Sequence, residues 1–188
     1  SRSDGILPEL RRSRLIINYE TIGRSDDQIK EQYTTDASKL SADELLYAAA
    51  LEDNAEKKED IYKKTAELYP NDSRAFNNIA ALEFAKGNND AAQNYLSKAL
   101  AVDGNTAEAN ANKGLIALLN GNTAEAQTLI AKANGANDLN KAVGALNIAN
   151  GKYAQAEEAM KGVNSNTAAL AQILNKNYAG AQTTLNNK

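Results

Sequence analysis

A recurrence of residue types every 34 positions limits this 188-residue chain more than any other feature of its sequence. It joins glycine to glycine, lysine to lysine and alanine to alanine, in the pairs Gly87/Gly121, Ala92/Ala126, Lys98/Lys132 and Ala99/Ala133. A period of this length is typical of two helices with their turns, repeated so that neighbouring units stack. Because one such unit cannot bury its apolar face alone, about three or more must pack together.

Small and large side chains alternate within the unit in a way that suits closely packed helices. Ala80, Ala92 and Ala99 allow two helices to approach, whereas Ile79 and Leu96 fill the space beside the crossing point. The next unit repeats the arrangement with Gly114, Ala126, Ile130 and Ala133. This pattern predicts an all-α fold.

Residues 73–105 resemble the tetratricopeptide repeat. In the first helix, Phe76 stands at the position of the family's large aromatic residue, and Ile79-Ala80 match its large–small pair. Gly87-Asn88 match the turn between the helices. In the second helix, Ala92, Leu96 and Ala99 match the family's small–large–small series. The preceding unit has Tyr62 at the large position and the terminal Pro70, where residues 73–105 have Gly104 instead. The resemblance extends over residues 40–188 and favours a bacterial cell-envelope member of the family, or a fragment of one.

The resemblance implies an α-solenoid of stacked helix-turn-helix repeats, preceded by a short strand-like arm. We expect the arm to comprise residues 1–39 and the repeat domain residues 40–188. The expected units are 40–71, 72–105, 106–136, 137–164 and 165–188. The later units are shortened, because Gly121 and Gly151 lie 30 residues apart and Ala156 and Ala181 only 25.

The arm differs from the repeats in composition and pattern. Residues 1–24 hold five of the six arginines, and residues 15–19 read as a short strand. A lone strand is not stable in water, which leaves an ordered arm along the solenoid, a disordered tail, or the end of a β-containing domain. We favour the third alternative. Arg11, Arg12 and Arg14 could meet phosphate, lipid headgroups or an acidic partner, but a charged strand edge that discourages aggregation is the simpler interpretation.

The composition excludes most catalytic chemistry. Without cysteine or histidine the chain has no thiolate nucleophile, no zinc–sulfur site and no side chain that ordinarily titrates near neutral pH. A net charge of −3 argues against a nucleic-acid binder, and no glycine-rich phosphate loop is present. The adjacent carboxylates Asp26-Asp27, Glu52-Asp53 and Glu157-Glu158 read as solvated helix ends. We therefore expect neither an enzyme nor a cofactor, and no metal site.

The resemblance implies a concave groove, lined by the first helix of each repeat, that holds a peptide or a partner's helix. The candidate groove residues are Arg74, Asn77, Asn78, Glu108, Asn112 and Lys141, with Asp138 beside the last of them. Asn78 and Asn112 stand where some family members hold a ligand backbone through side-chain amides, which both donate and accept hydrogen bonds. The alternative is that asparagine is simply abundant, at 24 of 188 residues.

Two functions therefore remain. The first is a non-catalytic scaffold that binds a protein or peptide, and the second is a structural spacer of a larger cell-envelope protein with an empty groove. The absence of cysteine and the abundance of asparagine favour an extracytoplasmic location, periplasmic or associated with the outer membrane, over a cytoplasmic one. No run of apolar residues is long enough to cross a bilayer.

Overall fold

A computed structural model describes Leu10, Arg12, Ser13 and residues 22–136 and 139–188. These residues form α-helices, one 3-10 helix and connecting turns, without a strand among them. The predicted all-α fold is confirmed for this part of the chain. The strand predicted for residues 15–19 lies outside the described residues.

The helices follow one another in pairs. Their bounds are α1 Asp26–Asp36, the 3-10 helix Ala37–Lys39, α2 Ala42–Leu51, α3 Ala55–Leu68, α4 Ser73–Ala85, α5 Asn89–Val102, α6 Ala107–Leu119, α7 Thr123–Ala131, α8 Leu139–Ala149, α9 Tyr153–Ala159, α10 Asn166–Leu174 and α11 Tyr178–Asn186. The closest packing joins α2 to α3, α4 to α5, α6 to α7, α8 to α9 and α10 to α11. The architecture is therefore repeat-like, with one helical hairpin after another.

Capping residues determine where the first helices begin. Ser41 accepts a hydrogen bond from the backbone N–H of Glu44, and the Glu44 carboxylate accepts one from the backbone N–H of Ser41. Ser25 and Gln28 form the same reciprocal pair at the start of α1. Each of these capping boxes consists of a serine and an acceptor side chain three residues later, and it satisfies two backbone donors that a helix end would otherwise leave unpaired.

Two glycines meet different demands of the hairpins. Gly87 ends α4 with a φ of 90°, a left-handed conformation in which a Cβ atom is unfavourable. Gly114 lies where α6 crosses α7, and a Cβ atom there would come within 2.8 Å of Ile130 Cγ1. The small residues Ala92, Ala99, Ala126 and Ala133 are likewise fully buried, as the packing argument predicts.

The described chain divides into two compact units, each with its own core. The first unit comprises Arg12, Ser13 and residues 22–106; the second comprises Leu10 with residues 107–136 and 139–188. The core of the first unit consists mainly of large side chains, together with Ala48 and Ala49: Ile29, Leu40, Leu45, Leu46, Ile61, Tyr62 and Ile79. The second unit has clusters dominated by alanine, around Ala111 and Ala133 and around Ala156 and Met160. None of the described helices has the length and apolarity required to span a membrane.

Candidate functional site

The candidate groove residues are divided between the two units. Arg74, Asn77 and Asn78 lie on one face of α4 in the first unit, because residues three and four positions apart share a helix face. The second unit carries the other three, with Glu108 and Asn112 on α6 and Lys141 on α8. Asp138 lies outside the described residues.

The side-chain amides of α4 hold a residue of the N-terminal arm. The backbone N–H of Ser13 donates to Asn78 Oδ1 at 2.7 Å, and Asn77 Nδ2 donates to Ser13 Oγ at 3.1 Å. Asn77 is fully buried and Asn78 only 4% exposed. One amide therefore accepts a hydrogen bond from a backbone N–H of the same chain, and the other donates one to a small hydroxyl group.

A tyrosine on the neighbouring helix completes this surface. Tyr62 of α3 is 2% exposed, and its hydroxyl group makes hydrogen-bonding contacts with Arg12 and Asn78. Burial raises the pKa of Tyr62, while the Arg12 charge and these two contacts act in the opposite direction. We call Tyr62, Asn77 and Asn78 the amide–tyrosine surface.

The charge of Arg12 also acts on a lysine close to Tyr62 along α3. Lys58 lies one turn before Tyr62 on α3. Burial and the nearby Arg12 charge lower the pKa of Lys58, whereas Asp53 and Glu52 oppose that shift. The side chain of Arg12 itself is exposed. Two cations, Arg12 and Lys58, therefore lie near Tyr62, and their like charges oppose each other.

Arg74 is held by carboxylates of its own unit. Its guanidinium lies 2.6 Å from Asp72 Oδ2 and 2.8 Å from Asp43 Oδ1. The hydrogen bonds from Arg74 to Asp72 are the main reason that the pKa of Arg74 is raised, and Asp43 adds to the effect. Since Asp72 also caps the start of α4 and Asp43 lies in the first turn of α2, Arg74 joins the beginnings of these two helices.

The candidate residues of the second unit differ in burial. Asn112 is fully buried, between the buried residues Ala111 and Leu115 along α6. Glu108, in the first turn of α6, and Lys141 on α8 are half-buried. Asn112 is thus as buried as Asn77, whereas the side chains of Glu108 and Lys141 are partly exposed to solvent.

A buried carboxyl pair that sequence reasoning missed lies between α3 and α4. Lys86 Nζ lies 2.6 Å from Glu59 Oε2 and 3.3 Å from Glu83 Oε1, while Asn88 donates to the other oxygen of Glu83. Burial, and then the neighbouring Glu83, raise the pKa of Glu59. Hydrogen bonding, with Glu59 as the main partner, lowers the pKa of Glu83 to about 2. Lys86, at the end of α4, therefore joins that helix to α3 through Glu59.

One of the adjacent carboxylates named in the sequence analysis, Glu157, links two parts of the second unit. Glu157 of α9 accepts hydrogen bonds from Asn175 and Asn177, in the turn between α10 and α11. These two hydrogen bonds lower the pKa of Glu157. Among the described residues, no group of three or more carboxylates is arranged to hold a metal ion.

The sequence contains little that would identify the site residues not predicted above. Tyr62 reads as a core aromatic, and only its hydroxyl group distinguishes it from a phenylalanine at that position. Ser13 lies 65 residues before Asn78, with no pattern that links the two. Glu59 and Glu83 lie 24 residues apart along the chain and look like ordinary charged helix residues.

No protein-family model matches the chain, and no curated protein matches it at a significant level.

Proposed function

We propose that this chain is a non-catalytic scaffold of the tetratricopeptide type, an α-solenoid whose first helices hold a peptide segment of a partner protein. The observation that carries the proposal is the hydrogen bond from the Ser13 backbone N–H to Asn78 Oδ1. A side-chain amide that engages a main-chain group can bind many sequences, because every residue except proline has that N–H.

The buried environment supports the proposal. A hydrogen bond in water contributes only about 0.5–1.5 kcal/mol net, but a buried polar group that loses its partner costs about 1–3 kcal/mol. Asn77 and Asn78 are almost completely buried, so their amides require a partner. A peptide that takes the place of Ser13 must therefore supply these amides with hydrogen-bonding groups of its own.

Selection from a random peptide library displayed on phage tests the proposal. Peptides selected on the unaltered chain should bind Asn78→Ala at least tenfold more weakly, measured by fluorescence anisotropy. The matched control is Asn94→Ala, since Asn94 is an exposed asparagine on α5. Circular dichroism establishes that each variant is folded. Peptides that bind Asn78→Ala and the unaltered chain equally well would contradict the proposal.

A structural spacer within a larger cell-envelope protein is the second candidate. The observation that favours it is that several candidate groove residues already have partners or are buried within the chain: Arg74 pairs with two aspartates, and Asn77 and Asn112 are fully buried. A phage selection that enriches no peptide, on protein shown to be folded, would favour the spacer.

A further inference from the structure

The amide–tyrosine surface is occupied in this structure by the chain's own Arg12 and Ser13. Ser13 uses two groups, its backbone N–H toward Asn78 and its hydroxyl oxygen toward Asn77. The first interaction is available from almost any residue, whereas the second requires a side chain that can accept a hydrogen bond close to the backbone. Serine and threonine satisfy that requirement, and alanine and glycine do not.

We propose that the amide–tyrosine surface recognises a serine or threonine residue of a partner peptide, and that Arg12-Ser13 is an intramolecular competitor for this surface. The proposal rests on the peptide-binding function proposed above and adds its residue preference and its regulation. A partner peptide binds only after Ser13 has left Asn77 and Asn78, because the same two amides cannot serve both.

The burial of the two asparagines supports competition over simultaneous binding. Asn77 is fully buried and Asn78 is 4% exposed with Ser13 in place. Asn78 Oδ1 already accepts from Ser13, and Asn78 also contacts the Tyr62 hydroxyl group. No surface of these amides remains large enough for a second backbone to approach.

Tethering makes the competitor effective even though its interactions are few. A segment of the same chain acts at an effective concentration of about a millimolar when the connection is short. A peptide of equal intrinsic affinity, with a Kd of about 100 µM, is then weakened about tenfold. Removing the competing segment should therefore increase the affinity for the peptide about tenfold.

The test uses a fluorescein-labelled synthetic peptide with the sequence of residues 8–19 as the probe. Ser13→Pro in the full chain removes the N–H that Asn78 accepts, so this variant should bind the probe about tenfold more tightly than the unaltered chain. Ser13→Ala, which removes only the hydroxyl contact, should give a smaller increase. Adding Asn78→Ala to Ser13→Pro should abolish the gain, and adding Asn94→Ala should not.

Variants of the probe test the residue preference. A probe with alanine in place of its central serine should bind Ser13→Pro several-fold more weakly, and a probe with threonine should bind nearly as well as the original. A probe with proline there should not bind. Equal binding of the serine and alanine probes would overturn the proposed preference.

The outcomes separate this inference from the peptide-binding function itself. If library-selected peptides bind through Asn78 but with equal affinity to the unaltered chain and to Ser13→Pro, the competitor proposal fails and the peptide-binding function stands. If neither the probe nor any library peptide binds to folded protein, both fail. Tighter binding of the probe to Ser13→Pro, lost with Asn78→Ala, supports both.

Discussion

The first unit packs large apolar side chains and joins its helices with buried charges, whereas the second unit packs mostly alanines against one another. Every ion pair found among the described residues lies between Arg24 and Lys86, in the first unit. Helices α2 to α5 have 10 to 14 residues, but α7, α9, α10 and α11 have only seven to nine. The same hairpin plan is thus stabilised in two ways.

The difference follows from what each residue type contributes. Burying a leucine or isoleucine removes far more apolar area from water than burying an alanine, so the first unit gains more free energy per buried residue. Alanines and glycines gain less but let helix axes approach closely, as at Gly114 and Ile130. We therefore expect the stability of the first unit to fall most when a large core side chain is truncated, and that of the second unit when a buried alanine is enlarged.

The largest expected effect is the loss of volume in the first unit. Leu45 of α2 is fully buried in the core, and Leu45→Ala should lower the free energy of unfolding by about 2–5 kcal/mol. The control is Leu119→Ala, because Leu119 is 40% exposed and its truncation should cost less than about 0.5 kcal/mol. Urea denaturation followed by circular dichroism measures both. Equal losses for the two variants would contradict the proposed core.

Added volume in the second unit should have the next largest effect. Ala126 of α7 is fully buried, so Ala126→Leu should destabilise by about 1–3 kcal/mol through overpacking. Ala124→Leu is the matched control, since Ala124 lies on the same helix and is exposed. Thermal unfolding compares the variants. A neutral Ala126→Leu would mean that α6 and α7 are not as closely packed as described.

Acid should weaken the first unit through Glu44. Burial would raise the pKa of this carboxyl group, but hydrogen bonds from Ser41 and Arg24 more than offset it, so the pKa is below its ordinary value of 4.5. The stabilisation is therefore complete above pH 4.5 and is lost as the pH falls through the folded-state value. Glu44→Gln should cost about 1–2 kcal/mol at pH 7.

The pH series provides the check on Glu44. The difference in free energy of unfolding between Glu44→Gln and the unaltered chain should stay constant above pH 4.5 and shrink as the pH is lowered below that value. Glu56→Gln is the control, because Glu56 is exposed in the first turn of α3. A difference that stays constant with pH would rule out ionisation of Glu44 as its cause.

The smallest expected effect concerns the turns that end the first helices of the hairpins. Gly87 has a left-handed backbone at the end of α4, whereas Lys176 has φ of 64° just after α10. A non-glycine residue is strained in this conformation. Lys176→Gly should therefore stabilise the second unit by up to about 1 kcal/mol, and Gly87→Ala should destabilise the first. Differential scanning calorimetry measures both variants. A Lys176→Gly variant that unfolds at a lower temperature than the unaltered chain, or a Gly87→Ala variant that unfolds at a higher one, would contradict this account of the turns.

Much of the local structure could be predicted from the sequence, because it depends on residues that are close along the chain. The capping boxes at Ser25 and Ser41 need only a serine and an acceptor three residues later. The pairing of helices and the burial of Ala92 and Ala126 follow from the 34-residue recurrence. Each of these features depends on only a few residues, so the sequence pattern alone is enough to predict it.

The candidate site was less predictable, since its contacts join residues that are remote in sequence. The position of Asn78 in the repeat predicts that its side-chain amide binds a peptide backbone, but nothing in the sequence shows that its partner is Ser13. Arg74 reads as a groove cation, and only the fold brings Asp43 near it. Polar contacts have no periodic pattern, so the partner of a buried amide must be found in the structure.

Hydrogen exchange at the backbone amide of Ser13, followed by NMR on the full chain, tests the central claim most directly. The account predicts that this amide exchanges at least tenfold more slowly than in an unstructured peptide of the same sequence. The protection should be lost in Asn78→Ala and kept in Asn94→Ala. A Ser13 amide that exchanges at the rate of the unstructured peptide in the unaltered chain would contradict the account.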